Sequence, residues 1–148
     1  MRRPNQIAAD EAVMENITWD ERYDIKIETI DRQHRRLVDL MNHLIEIQDQ
    51  TTSVAEVAEI LGALTNYVGE HFDTEEQMMI DYGYPELEAH REEHQAFVTR
   101  TAYFIATYRE SGPSLKKDIL SFLKDWLMKH IRQTDAAFGT FLKNSGLV

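Results

Sequence analysis

The chain has 148 residues, of which 26 are acidic and 16 basic, with a formal net charge of −10 and no cysteine. This length suits one domain with one core, and the absence of cysteine excludes disulfides and thiolate metal sites. The acidic balance, without a basic stripe, argues against nucleic acid and anionic membranes as partners.

The first 16 residues show no clear periodicity and are predicted to form a tail, outside a single domain that we place at residues 17–148. No apolar stretch follows the Arg2-Arg3 pair, so we expect no export signal. No segment approaches the roughly 18 apolar residues of a membrane helix. The expected location is therefore the cytoplasm.

Residues 17–30 alternate partly between apolar and polar types, at Tyr23, Ile25 and Ile27. This pattern is compatible with a short strand. No second strand signal exists for it to pair with, so an extended arm packed on the rest of the domain is the preferred interpretation.

Two helical segments follow the arm. Apolar residues recur at helical spacing from Leu37 to Ile45 and predict a first helix from about Asp31 to Asp49. Residues 51–53 end it, and Ser53 with Glu56 forms a capping-box pattern for a second helix. That helix runs to about Tyr82, with Gly83 at its carboxyl end.

Two further helices complete the domain. Pro85 fits the first turn of the third helix, which ends near residues 111–113. Ser114 can cap a fourth helix that continues to about Lys143. Short loops between four helices imply antiparallel neighbours, so the predicted fold is all-α: an up-down-up-down antiparallel four-helix bundle with an extended N-terminal arm.

Five of the six histidines fall into one ordered set with two carboxylates, spread over all four predicted helices. His71 and Glu75 are four residues apart, as are His90 and His94, so each pair is displaced by about 40° and shares a helix face. Nitrogen and oxygen ligands on four facing helices can hold two metal ions inside a bundle. The sequence therefore predicts a buried two-metal site whose ligands are His34, His71, Glu75, His90, His94, His130 and Asp135.

The last pair, His130 and Asp135, is five residues apart, or about 140° around an ideal helix. Either two adjacent metals take these residues from opposite flanks, or a local wide turn brings them together. His43 follows His34 by nine residues, about 180° away, so it should face solvent and not be a ligand. If Glu75 and Asp135 both bridge, together with a solvent-derived oxygen, one position of two six-coordinate metals stays open for a ligand.

Each part of the pattern also has a simpler explanation, since a lone core histidine or a single His-x-x-x-Glu pair is usually structural. Residues 90–94 match the H-x-x-E-H zinc-protease pattern, with Glu93 as general base, but this leaves His34, His71 and His130 unexplained. No histidine has a glutamate three residues before it, which disfavours the carboxylate-rich di-iron oxidases.

Other residues flank the predicted ligands in the sequence. The apolar ones are Phe72, Trp126, Leu127 and Ile131. They are most simply core residues, and alternatively form a dry pocket over the open metal position. The run Glu92-Glu93 and the pair Asp73 and Glu76 are predicted to lie on solvated helix faces.

With these residues identified, the chain resembles the hemerythrin family in its bacterial single-domain form, over nearly all of residues 17–143. The motifs that carry the resemblance are Ile30-Asp-Arg-Gln-His34, His71-Phe-x-x-Glu75, His90-x-x-x-His94 and Trp126-Leu-x-x-His130-Ile-x-x-x-Asp135. Together they are highly specific, and no ligand position is missing. The tail before residue 17 lies outside the resemblance.

The resemblance implies a non-haem di-iron centre with an oxo or hydroxo bridge. One iron would take His90, His94 and His130; the other would take His34 and His71 and keep the open position; Glu75 and Asp135 would bridge. In this family O2 binds at the open iron, and Leu127 matches a position that lines the O2 pocket. A dry pocket favours reversible binding because it denies access to water and protons.

Three classes of function are compatible with such a site. The one we predict is reversible O2 binding, without enzymatic activity, for oxygen carriage, storage or delivery to an oxygen-using partner protein. The second is an oxygen or redox sensor acting through a separate partner, because the 148 residues contain no signalling domain. The third is a di-iron enzyme that reduces peroxide or nitric oxide. The sequence does not fix the oligomeric state, for which a monomer is the simplest expectation.

Overall fold

A computed structural model of the chain describes residues 15–47, 54–111 and 116–146, and every regular element in these ranges is helical. After a 3-10 turn (Glu21–Tyr23), the helices are α1 (Glu28–Glu46), α2 (Val54–Tyr82), α3 (Leu87–Ser111) and α4 (Lys116–Lys129); a π-helical turn (His130–Asp135) then leads directly into α5 (Ala136–Asn144). Each helix packs on the next, and α4 packs back on α1. The predicted all-α four-helix bundle is confirmed, with α4, the π turn and α5 as its fourth helix.

Helix α1 begins at Glu28, three residues before the predicted start at Asp31. The carboxylate of Asp31 instead accepts the backbone amides of Ile25 (2.8 Å) and Lys26 (3.1 Å), and so fixes the arm from within the first helical turn. The left-handed conformation of Lys26 (φ 68°) is held by this contact. The predicted arm is present, but it contains a 3-10 turn and, within the described ranges, no strand.

The first residues of the arm also contact α1. Ile17 is buried, and its backbone amide donates to the Asn42 side chain (2.7 Å), whose own amide donates back to the Ile17 carbonyl (2.9 Å). Contacts with the helices begin at the first described residues, since Asn16 donates to Glu46 (3.1 Å) and Lys124 donates to the Glu15 carbonyl (3.3 Å). The tail as far as residue 14, the break at residues 51–53 with its Ser53 cap, and the Ser114 cap lie outside the described residues.

The end of α2 agrees with the prediction. Gly83 has φ 67°, a conformation that suits glycine, and the Tyr84 amide donates to the Met79 carbonyl (2.9 Å) in a Schellman motif. Pro85 lies in the turn before α3 and not in its first helical turn as predicted, because the turn closes with the Leu87 amide donating to the Tyr84 carbonyl.

Two apolar clusters fill the interior. The larger one occupies most of the bundle and includes Leu37, Phe72 and Leu127. The smaller one lies between the arm and the helices. It consists of Ile25, Ile27, Ile30, Met79, Phe138 and Leu142. On α1, α2 and the fourth helix, the predicted metal ligands fall between members of one cluster and members of the other. The fold thus places the polar cluster between two apolar layers.

None of the described helices combines the length and the apolar character needed to cross a bilayer.

Candidate metal centre

All seven predicted ligand residues come together inside the bundle, and each is at most 4 % exposed. Their nitrogen and oxygen atoms form two overlapping groups, within each of which the atoms lie within 4.8 Å of one another. One group contains three histidines (His90, His94, His130), the other two (His34, His71), and Glu75 and Asp135 belong to both. The arrangement offers two neighbouring metal positions that share both carboxylates.

The backbone at residues 130–135 explains how the last pair converges. These residues form a π-helical turn, which is wider than an α-helical turn and brings residues five apart to the same side. His130 Nε2 consequently lies 3.1 Å from Asp135 Oδ1. Of the two alternatives that the sequence left open, the structure contains the wide turn.

Two histidines of the three-histidine group are held from outside by carboxylates. His94 Nδ1 donates to Glu76 Oε2 (2.9 Å), and His130 Nδ1 donates to Glu93 Oε2 (3.0 Å). Because a carboxylate can only accept, Nδ1 carries the proton on both rings. Nε2 faces the cluster on each ring and presents a lone pair whenever the ring is neutral, as metal coordination requires.

On the two-histidine side, the outer partner is a neutral amide. His71 Nδ1 donates to Gln33 Oε1 (2.7 Å), and Gln33 Nε2 donates to Thr74 Oγ1 (3.3 Å), which fixes the orientation of the amide. Nδ1 of His34 is buried and has no hydrogen-bond partner in the described part of the chain.

The cluster fits a metal because its donor atoms face one another at distances that require a cation or shared protons between them. With both Nδ1 atoms used as donors, the Nε2 lone pairs of His94 and His130 meet at 3.1 Å, a repulsive contact unless a cation or a proton lies between them. The carboxylate oxygens of Glu75 and Asp135 are fully buried and have no hydrogen bond of good geometry from the described residues. Buried charges of this kind require paired protons or a metal ion.

Proton binding by the metal-free chain agrees with this view. Burial lowers the pKa of His71 and His130, but the adjacent carboxylates of Glu75 and Asp135 outweigh it and raise those pKa values to about 9 and about 10. Imidazolium ions thus neutralise the carboxylates where a cation is absent. His94, in contrast, has its pKa lowered to about 4 by burial, which keeps it neutral and available as a ligand.

One prediction about the acidic residues near the site needs correction. Asp73, Glu92 and Glu93 lie on solvated faces as predicted, but Glu76 is half-buried. Glu76 and the exposed Glu93 also each accept a hydrogen bond from the outer nitrogen of a clustered histidine, which the sequence did not predict. The contact of Glu93 with His130 also disagrees with its suggested role as a protease base. These contacts, like that of Gln33, cross between helices, so spacing along one helix contained no signal for them. His43 is exposed, as predicted.

Of the four apolar residues that flank the ligands in the sequence, two stack directly on clustered histidines. The ring of Phe72 stacks on His94 (centroids 3.7 Å apart, planes at 6°), and Trp126 stacks on His130 (4.5 Å, 13°). Both aromatic rings therefore pack against the three-histidine group. Leu127 and Ile131 are buried, and Leu127 belongs to the larger apolar cluster.

Comparison with known proteins gives consistent matches. The family described as "Hemerythrin HHE cation binding domain" matches residues 25–142. A bacteriohemerythrin of Stenotrophomonas maltophilia is 32% identical over 127 residues, which cover 86% of this chain and 82% of that protein. A myohemerythrin of Theromyzon tessulatum is 28% identical over 123 residues, covering 83% and 91% respectively. The crystal structure of a wild-type hemerythrin superposes with a TM-score of 0.78 at 28% identity, covering 85% of this chain and 97% of that chain. The chain therefore belongs to the hemerythrin family, whose domain binds non-haem iron.

Proposed function

We propose that this chain is a cytoplasmic protein that binds O2 reversibly at two non-haem iron ions, for oxygen carriage, storage or delivery, and that it is not an enzyme. The observation that carries the proposal is the pair of overlapping donor groups that share Glu75 and Asp135. The residues of both groups would hold two ferrous ions, and the ions would supply the two electrons needed for reversible O2 binding. Imidazole and carboxylate donors suit iron as well as zinc, copper and nickel, and membership of the hemerythrin family favours iron among these metals.

The two metal positions differ in how many ligands the chain provides. The three-histidine group offers five residues and the two-histidine group four. We assign His90, His94 and His130 to the first iron, and His34 and His71 to the second. The second position therefore has room for an external ligand, and O2 is proposed to bind there.

The surroundings favour reversible binding over further chemistry. The donor residues lie between the two apolar clusters and are at most 4 % exposed. Leu127 is 2 % exposed, and we assign it to the lining of the O2 pocket, with Phe72, Trp126 and Ile131 as further lining residues. An apolar lining withholds the water and protons that would convert bound O2 into released products.

The proposal is tested by measuring the iron content of the anaerobically reduced protein and its visible absorption before and after exposure to air. We expect two irons per chain and a visible absorption that appears with air and disappears when O2 is removed, over repeated cycles. Irreversible conversion to a ferric spectrum would instead favour an enzyme or a redox sensor, and zinc or no metal would refute the di-iron assignment.

Two histidine variants test the ligand set in the same preparation. His71→Ala removes a buried donor and should contain fewer than two irons per chain, whereas His43→Ala alters an exposed side chain on α1 and should retain two. Equal iron content in both variants would contradict the assignment of His71.

A further inference from the structure

We infer that the two metal positions bind iron with unequal strength. The three-histidine position fills first and empties last, and Glu76 and Glu93 act as positioning residues that establish this order. The inference rests on the proposed function only in that the cluster holds two irons. It does not depend on O2 binding.

The two metal positions differ in their number of donor residues. Each position shares Glu75 and Asp135, so the difference lies in the histidines, three on one side and two on the other. Each additional neutral imidazole adds one metal–nitrogen bond in a buried site from which water is excluded. The ligand count alone therefore favours the position of His90, His94 and His130.

The hydrogen-bond partners of the outer histidine nitrogens also differ in charge between the two positions. On the three-histidine side, Glu76 and Glu93 place carboxylate oxygens 2.9 Å and 3.0 Å from the outer nitrogens of His94 and His130. A carboxylate fixes the ring orientation, makes the imidazole a stronger donor and adds negative charge near the metal.

The opposite side has no such charge. His71 is held at 2.7 Å by the neutral amide of Gln33, and the buried Nδ1 of His34 has no hydrogen-bond partner among the residues that the structure describes. A hydrogen bond thus fixes one of these two rings and adds no charge. On the three-histidine side, carboxylates fix two of the three rings, and the Nδ1 of His90 has no hydrogen-bond partner in the described residues. Both the ligand number and the outer charge consequently favour the same position.

The orientation of Glu76 is itself fixed. Arg91 Nε donates to Glu76 Oε1 (3.0 Å), and this leaves the second oxygen, Oε2, to accept from His94. Arg91 also donates to Glu88 (3.0 Å), which holds the guanidinium in place. This chain of contacts runs from the surface to a predicted metal ligand, as expected for a positioning residue and not for a solvated one.

The test is the rate at which the ferrous two-iron protein loses iron to an excess of a strong ferrous chelator under argon, followed by the colour of the iron–chelate complex. Two phases of equal amplitude are expected, the slower one from the three-histidine position. Loss of an outer partner of a ligating histidine weakens metal binding by about 10–100-fold. Glu93→Gln keeps the size and an accepting oxygen but removes the charge, and should accelerate the slow phase by about tenfold or more.

Matched variants assign the phases. Glu76→Gln should also accelerate the slow phase, and Gln33→Leu the fast one. Glu92→Gln removes the same charge from the neighbouring, exposed position on α3 and should leave both rates unchanged. Far-UV circular dichroism and the melting temperature of the metal-free variants separate loss of positioning from loss of fold.

Two results would overturn the inference: release of both irons in a single phase, or equal effects of Glu93→Gln and Glu92→Gln on the slow phase. The proposed function would survive either result if O2 still bound reversibly. Conversely, if iron is released in two phases, Glu93→Gln accelerates the slow phase and the protein does not bind O2, the order of the sites is supported and the proposed function is refuted.

Discussion

His130 and Asp135 are five residues apart in the sequence, yet His130 Nε2 lies 3.1 Å from Asp135 Oδ1 because the helix widens into a π turn between them. This local departure from α-helical geometry puts both side chains into the same cluster. Without it, Asp135 would be displaced by about 140° around the helix from His130 and could not be shared by both donor groups.

Asp135→Asn should therefore disrupt the cluster while leaving the bundle folded. The substitution keeps the shape of a fully buried side chain but removes one of the two shared negative charges. We expect iron content below two per chain, with helical circular dichroism preserved. Asp125→Asn, at an exposed position on α4, is the control and should retain both irons. A fully loaded Asp135→Asn protein would show that this carboxylate is not a required ligand.

Leu127→Ala should shorten the life of the O2 complex without loss of iron. Truncating this buried leucine opens a cavity beside the site and costs about 2–5 kcal/mol of folding stability. The measurement is the decay of the oxygenated spectrum at constant O2 pressure, which we expect to be several-fold faster.

The control for that experiment is Leu123→Ala, one helical turn further from His130 and equally buried. It should cost similar stability but leave the decay rate near that of the parent chain. If both variants decay alike, the effect arises from general loosening of the core and Leu127 is not the barrier to water.

The packing of the arm on α5 can be tested with two glycine-to-alanine substitutions that should change the folding stability in opposite directions. A Cβ at Gly139 would lie 2.8 Å from the Ile25 carbonyl oxygen, so Gly139→Ala must displace the arm and should destabilise by about 1–3 kcal/mol. Gly62 lies inside α2, and a Cβ there would meet no packed neighbour within 4 Å in the described part of the chain, so Gly62→Ala should stabilise by about 0.4–1 kcal/mol. Thermal melting measures both, and an unchanged or raised melting temperature for Gly139→Ala would contradict the close approach.

Iron binding and the stability of the metal-free chain should depend on pH in opposite ways. Against the effect of burial, Glu75 and Asp135 raise the pKa of His71 to about 9 and of His130 to about 10, above the ordinary value of 6.5. A group with a raised folded-state pKa stabilises fully below its unfolded value and loses that contribution as the pH rises through the folded value. The melting temperature of the metal-free chain should thus fall between about pH 7 and pH 10.

Over the same range, iron affinity should increase because the imidazoles must release their protons to bind metal. Calorimetric melts at several pH values, with the iron-loaded chain as control, measure the first effect, and chelator competition measures the second. In the iron-loaded chain the alkaline decline should be smaller, since its histidines are already deprotonated. A metal-free chain whose stability rises towards pH 10 would contradict the assignment of protons to His71 and His130.

The sequence predicted the bundle and the clustered residues because both depend on periodicity along single helices. His71 and Glu75 share a face by spacing alone, and the exposure of His43 followed from the same rule. The π turn remained one of two alternatives, because residue types do not specify which backbone amide pairs with which carbonyl over a single turn.

The spacing of residues along one helix could not predict contacts between different elements. Glu93 holds His130 from another helix, so its role depends on the relative placement of α3 and the fourth helix. Asp31 was predicted to begin α1, but its carboxylate accepts hydrogen bonds from the amides of Ile25 and Lys26 in the arm. The roles of Glu93 and Asp31 therefore depend on contacts between elements that form only in the folded chain.

Reversible O2 binding at two irons is tested by the stoichiometry of O2 uptake by the fully reduced, iron-loaded protein. Titration with O2 in a sealed cell should saturate at one O2 for every two irons, and lowering the O2 pressure should return the same amount of O2 with both irons still ferrous. Consumption of O2 that is not recovered, with ferric iron left behind, would contradict reversible binding.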